Sequence, residues 1–207
     1  MSETYQPRPE RFLDLLADDR PHLFDGGFGT ELHHRGASVT RCFDDLNLSR
    51  EELVTRVHRD FLEAGAEILE TNTYGANRTK LAPFGLQDRV VKINRAGAVL
   101  ARRVAGEEAL VAGALGPLGV RMEPFGPTAR DEVRAVYREQ AQGLLEGGVD
   151  FFILETFGFA DELIEAIRGA REAGDLPVVA QMTVGLDLHT AFGTDPESFV
   201  PRIVGEE

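Results

Sequence analysis

Three carboxylates sit where a protein could bind an ion or move a proton. Asp25, Glu70 and Glu155 each close an otherwise apolar run, in His22-Leu-Phe-Asp25, Ala66-Glu-Ile-Leu-Glu70 and Val149-Asp-Phe-Phe-Ile-Leu-Glu155. An ionised group at such a place loses several kcal/mol of hydration unless it finds a partner. Either each carboxylate caps nearby backbone amides or pairs with an arginine, or the three together face a ligand that brings a positive amino group. Directly after Asp25 comes Gly26-Gly27-Phe28-Gly29. Free amides in such a turn can hold an anion, for instance the carboxylate of a small substrate; equally, the turn can need glycine for its shape alone. The spacing is not G-x-G-x-x-G, which argues against a dinucleotide.

Other reactive residue types stand alone. Cys42, in Arg41-Cys-Phe-Asp-Asp45, is the single cysteine and reads as packing rather than as a nucleophile or ligand. His33, His34, His58 and His189 show no H-E-x-x-H spacing and read as surface residues. The sequons at Asn47 and Asn77 carry no weight in a chain read as cytosolic.

The elements that must position these groups follow a strand-helix alternation. Residues 10–17 read as a short amphipathic helix, and His22–Asp25 as a strand running into the glycine turn. Ser49, ahead of Glu51 and Glu52, reads as the N-cap of a helix that Gly65 ends. Strands follow at 66–74, 109–116, 149–157 and 177–184, and helices at 87–105, 129–146 and 161–173. A last helix begins at Asp195-Pro196, a cap with proline in the first helical position. Near-continuously apolar strands between amphipathic helices predict a parallel sheet covered by helices. Residues 117–128, rich in proline and glycine, read as a loop at the top of a barrel. About five β/α units in 207 residues fit a doubly wound sheet or an incomplete (β/α)8 barrel, which needs ~250 residues.

Composition narrows the function classes. The formal net charge is −13, which argues against nucleic acid and an anionic membrane surface as partners. One cysteine suits a reducing compartment, and Met1 to Pro21 has no apolar core of a signal peptide, so a cytoplasmic protein is expected.

Taken in order, the strand-end segments resemble the homocysteine S-methyltransferase family. The resemblance runs through Asp25-Gly-Gly-Phe-Gly-Thr-Glu-Leu32, Cys42-Phe-Asp-Asp-Leu-Asn-Leu-Ser49 and Glu70-Thr-Asn-Thr-Tyr-Gly-Ala-Asn77. It continues with Gly113-Ala-Leu-Gly-Pro117, Asp150-Phe-Phe-Ile-Leu-Glu-Thr-Phe157 and Phe192-Gly-Thr-Asp-Pro196. It covers about residues 20–200 and looks closest to the folate-dependent branch, the methionine synthase and methylenetetrahydrofolate reductase-fused modules.

The resemblance implies a (β/α)8 TIM barrel, present in residues 1–207 as a single homocysteine-binding domain of about five units, without strands 6–8. It implies homocysteine as substrate, with Asp25 and Glu155 on its ammonium and Gly26, Gly27 and Thr73 on its carboxylate. It further implies Zn2+ on the homocysteine sulfur, since only the thiolate is a good nucleophile, and a methylfolate, methylcobalamin or sulfonium donor. In the family three cysteines hold the zinc, in segments that would lie beyond Glu207, and Cys42 corresponds to none of them. The chain alone is therefore expected to bind no catalytic zinc and to transfer no methyl group. Expected alternatives are a non-catalytic amino-acid-binding or assembly module, and a barrel lyase using Asp25 and Glu155 as acid and base. Two unpaired sheet edges predict self-association or complementation by a missing barrel half.

Overall fold

The structure, a computed structural model, describes residues 7–206. Residues 1–6 and 207, which include the start of the stretch read as lacking a signal peptide and the last residue of the domain range, lie outside the described residues.

The chain opens with α1 (Pro9–Leu16), then α2 (Phe28–His34), α3 (Leu46–Ser49) and α4 (Glu51–Glu63). Strand β1 (Ile68–Glu70) leads through α5 (Arg78–Leu81) to α6 (Val90–Ala105) and β2 (Leu110–Leu115). After these come α7 (Arg130–Gly147), β3 (Phe151–Phe157), α8 (Ala160–Ala173), β4 (Val178–Met182) and α9 (Pro196–Val204). All strand pairs are parallel and their order is β1-β2-β3-β4. Consecutive parallel neighbours joined by helices follow the winding of a barrel wall. A doubly wound sheet would reverse its strand order partway.

The expected first strand is reduced to a single parallel bridge between Phe24 and Ile68. Its ladder consists of Glu67 N to Leu23 O at 2.8 Å, Ile68 N to Leu23 O at 3.2 Å and Asp25 N to Ile68 O at 3.0 Å. Pro21 offers no amide on one side, and Gly26-Gly27 turn away on the other.

Strand parity divides the apolar residues into two layers. Ile68, Leu110, Ala112, Ala114, Phe151 and Ile153 face the barrel interior, where α1 contributes Phe12. The Phe12 and Phe151 rings stack with centroids 4.1 Å apart and close the floor. Leu69, Val111, Leu115, Phe152 and Leu154 face the opposite way, into the helices.

Local signals gave several boundaries correctly. Asp195 caps α9 by accepting from Ser198 N at 2.8 Å, and Gly65 follows α4 with φ +104°. Ser49 is not the N-cap of α4. It ends α3, where its hydroxyl donates to Asp45 O at 3.0 Å, and Arg50, with φ −147°, separates the two helices. His58 is not a surface residue either; α4 turns it inward against Phe28, with ring centroids 4.6 Å apart. Burial without a partner holds its pKa down to about 3, so it is neutral.

At the floor, Arg102 forms a buried ion pair with Asp150, and its Nε donates to Gly148 O at 3.2 Å. Asp150 Oδ2 also accepts from Val111 N at 2.8 Å, tying α6 to β2 and β3. Replacing one partner of a buried pair strands the other. Arg102→Met is expected to lower unfolding free energy by about 3–5 kcal/mol, measured by urea denaturation; a loss under 1 kcal/mol would show that the pair does not brace the floor.

Candidate functional site

The C-terminal ends of the strands surround a cavity of about 790 Å³. Its lining includes Gly26, Gly27, Asp44, Glu70, Tyr74, Lys80, Glu155 and Thr156. Parity explains two of its carboxylates: Glu70 continues the interior row of Ile68, and Glu155 that of Ile153.

Asp25 accepts from Glu70 N at 3.0 Å, so the expected amide capping occurs for this residue. The expected arginine does not: among the described residues no cation acts on Asp25, Glu70 or Glu155. Burial and the Glu155 charge push Asp25 up to about 7, against the pull of the Glu70 amide. Burial, then Glu155 and Asp25, push Glu70 up to about 8. Burial also raises Glu155, which is opposed by hydrogen bonds from Glu70 and Thr156. The proximity of the Glu70 and Glu155 carboxyls raises the first and opposes the rise of the second. Three carboxyl groups that prefer to shed charge are matched to a ligand that supplies a positive one.

The amides of Gly26 and Gly27 have no acceptor among the described residues and lie exposed at the rim. Thr73 is placed differently. Its buried hydroxyl donates to Ala114 O at 2.8 Å and bonds Thr71 Oγ1 at 2.6 Å, so its single proton is committed to the scaffold. Gln181 and Thr183, at the end of β4, do not reach the cavity lining.

The loop after β1 is held by buried amides. Asn47 Nδ2 donates to Asn72 O at 2.7 Å, Asn94 Nδ2 to Ala76 O at 2.7 Å and Gln140 Nε2 to Thr73 O at 2.7 Å. Asp44 reaches the same loop, accepting from Gly75 N at 3.0 Å, and burial raises it to about 6.

Residues that sequence reasoning did not single out complete the wall. The Tyr74 ring lies on Gly116, where a Cβ would come within 2.4 Å of it, and Thr156 lies near its phenol. Thr156 itself has φ +65°, and its hydroxyl donates to Glu155 Oε2 at 3.4 Å. Lys80 and Arg41 supply positive charge at the rim. Asp44, Tyr74 and Thr156 left a signal, by falling inside the resembling segments, whereas Arg41 and Lys80 left none.

Comparison with known proteins agrees with this geometry. The family profile for homocysteine S-methyltransferase matches residues 22–206. The chain belongs to the homocysteine S-methyltransferase family. Among its relatives is the methionine synthase of Mycobacterium tuberculosis, 33% identical over 189 residues that cover 83% of this chain and 16% of that protein. Another is betaine–homocysteine S-methyltransferase 1 of Sus scrofa, 33% identical over 202 residues that cover 93% of this chain and 69% of that one. The chain thus spans about one sixth of the length of the mycobacterial methionine synthases it matches. The oxidised form of the homocysteine methyltransferase MmuM from Escherichia coli shares the fold, with a TM-score of 0.82 at 24% identity, over 96% of this chain and 74% of that one.

The zinc that the family resemblance implies finds no fit here. Among the described residues no group of three His, Cys, Asp or Glu side chains is placed to hold a metal ion. Cys42 lines the cavity, but burial and the Asp44 charge push its thiol up to about 12, which keeps it protonated. One protonated thiol does not make a thiolate zinc centre.

The raised carboxyls set a pH dependence. Asp25 and Glu70 titrate near 7 and 8 when folded, against roughly 4 unfolded. Between these values the folded state holds the extra protons, so stability falls as pH rises. The Tm is expected to drop from pH 5.5 to 8.5, less steeply in Glu70→Gln, as followed by circular dichroism. Equal slopes in the two proteins would place the dependence elsewhere.

Proposed function

We propose that this chain carries the homocysteine pocket of a homocysteine S-methyltransferase. Asp25 and Glu155 hold the substrate ammonium, and the Gly26 and Gly27 amides hold its carboxylate. The observation that carries the reading is the convergence of Glu70 and Glu155 on one cavity, with Asp25 hydrogen-bonded to the Glu70 amide beside them and no cation acting on any of the three. Family membership supplies the substrate class, and the relatives named for methionine synthesis and betaine–homocysteine transfer support it. Thr73, which lines the same cavity, also fixes the loop after β1 to β2 through its hydroxyl.

In the reaction proposed for the whole enzyme, the homocysteine thiolate takes a methyl group from a methylfolate, methylcobalamin or sulfonium donor. Zinc, where thiolate ligands hold it, supplies the low thiol pKa that this step needs. The residues of this chain perform the binding part. They neutralise the ammonium, align the amino acid along the strand ends and keep the side chain directed over the barrel mouth.

A second reading follows from the misfit with zinc: by itself the chain is an amino-acid-binding module that transfers no methyl group. We further propose that residues 1–207 form one domain, that it works in the cytoplasm, and that its open sheet edges pair with a second copy or with a complementing barrel half. The acidic composition supports the absence of a nucleic-acid partner.

Calorimetric titration of the purified chain with homocysteine tests the pocket. Binding is expected at one molecule per chain. Asp25→Asn and Glu155→Gln are each expected to weaken it about tenfold or more, the worth of a charge-assisted hydrogen bond. N-acetylhomocysteine, which lacks the positive charge, is expected not to bind. Equal affinity for both compounds would overturn the ammonium assignment.

A further inference from the structure

We infer that Thr156 is a positioning residue whose left-handed backbone and hydroxyl aim the Glu155 carboxylate into the cavity. The inference rests on the amino-acid reading of that cavity.

Strand parity assigns each residue of β3 a face. Along β3, Phe151 and Ile153 face the barrel interior while Phe152 and Leu154 face the helices. Glu155 keeps the interior parity. Phe157 has the same parity, yet it is buried among the helix-facing residues with its ring 5.9 Å from Tyr137. Both placements hold only if one residue is inserted between them, and the ladder to β4 shifts register between Leu154 and Phe157. Thr156 is the inserted residue, and a bulge there turns the strand so that a charge and a phenyl ring leave it on opposite faces.

The backbone conformation is costly for this residue type. At φ +65°, a β-branched side chain meets the carbonyl that follows it, where glycine meets nothing. Burial gives no compensation, because the Thr156 side chain is exposed. Strain without packing marks a residue kept for something its side chain does. Its hydroxyl donates to Glu155 Oε2 at 3.4 Å, with the Tyr74 phenol close by. Tyr74 is in turn seated on Gly116 at the end of β2, where no other residue leaves room for the ring. One hydroxyl therefore holds the Glu155 carboxylate at the wall that Tyr74, seated on Gly116, forms with it.

Stability and binding should then move in opposite directions, which no purely structural role produces. Thr156→Gly removes the strain and the hydroxyl together; its Tm is expected to rise by about 1–3 °C, while homocysteine affinity falls roughly tenfold. Thr156→Ser keeps the hydroxyl without the branched carbon and is expected to bind within about twofold of the unaltered chain. Thermal melts and calorimetric titrations of the three proteins decide the matter. A Thr156→Gly chain that binds as tightly as the original, or melts below it, overturns the inference. So does a Thr156→Ser chain that binds no better than Thr156→Gly. Failure of the pocket reading itself would show separately, as absence of homocysteine binding by the unaltered chain, and would remove this role for Thr156 with it.

Discussion

Like charges resist being brought together out of water, and this protein gathers the Asp25, Glu70 and Glu155 carboxyls at the strand ends, where neither Lys80 nor Arg41 of the cavity rim acts on them. In a low-dielectric setting the repulsion is relieved by holding protons or by binding a positive ligand. The cluster does the first in the free chain, where Asp25 stands near 7 and Glu70 near 8. An amino acid with its ammonium in place would allow the second. The clustering is thus an unfavourable arrangement that the rest of the fold must impose.

The imposition comes from the parallel ladder. Each strand delivers alternate residues to the interior, so Ile68 fixes the direction of Glu70, and Ile153 that of Glu155. Small residues follow the same row on β2, where Ala112, Ala114 and then Gly116 leave the space that the cavity and the Tyr74 ring occupy. Behind this wall, Asn47, Asn94 and Gln140 spend their amides on carbonyls of the loop after β1. A loop so tied cannot relax to let the carboxyls part. The buried Arg102–Asp150 pair does the corresponding work at the floor, where its own charges are matched.

The division of labour between binding and chemistry follows from the donor groups available. Carboxyls and amides suit an amino acid's charged ends. A thiolate metal centre needs several thiols with lowered pKa, and the one thiol here is pushed the other way by its apolar surroundings and by Asp44. The cavity thus presents carboxyls, backbone amides and one protonated thiol.

Much of this was written in the sequence because it depends on neighbours along the chain. Asp195-Pro196 starts a helix by local geometry, Gly65 ends one for the same reason, and apolar runs ending in Asp25, Glu70 and Glu155 mark strand ends. The order of the resembling segments was enough to indicate the barrel and the family. Other features arise between distant residues, and only the tertiary structure decided them. The first strand shrank to one bridge because it has a single neighbour and a proline and glycines at its ends. Thr73 was committed to Ala114, His58 was turned into the core, and Thr156 was driven to positive φ because Glu155 and Phe157 must face opposite layers. Sequence spacing fixes which residues can share a face; which partner each meets there depends on packing across strands and helices.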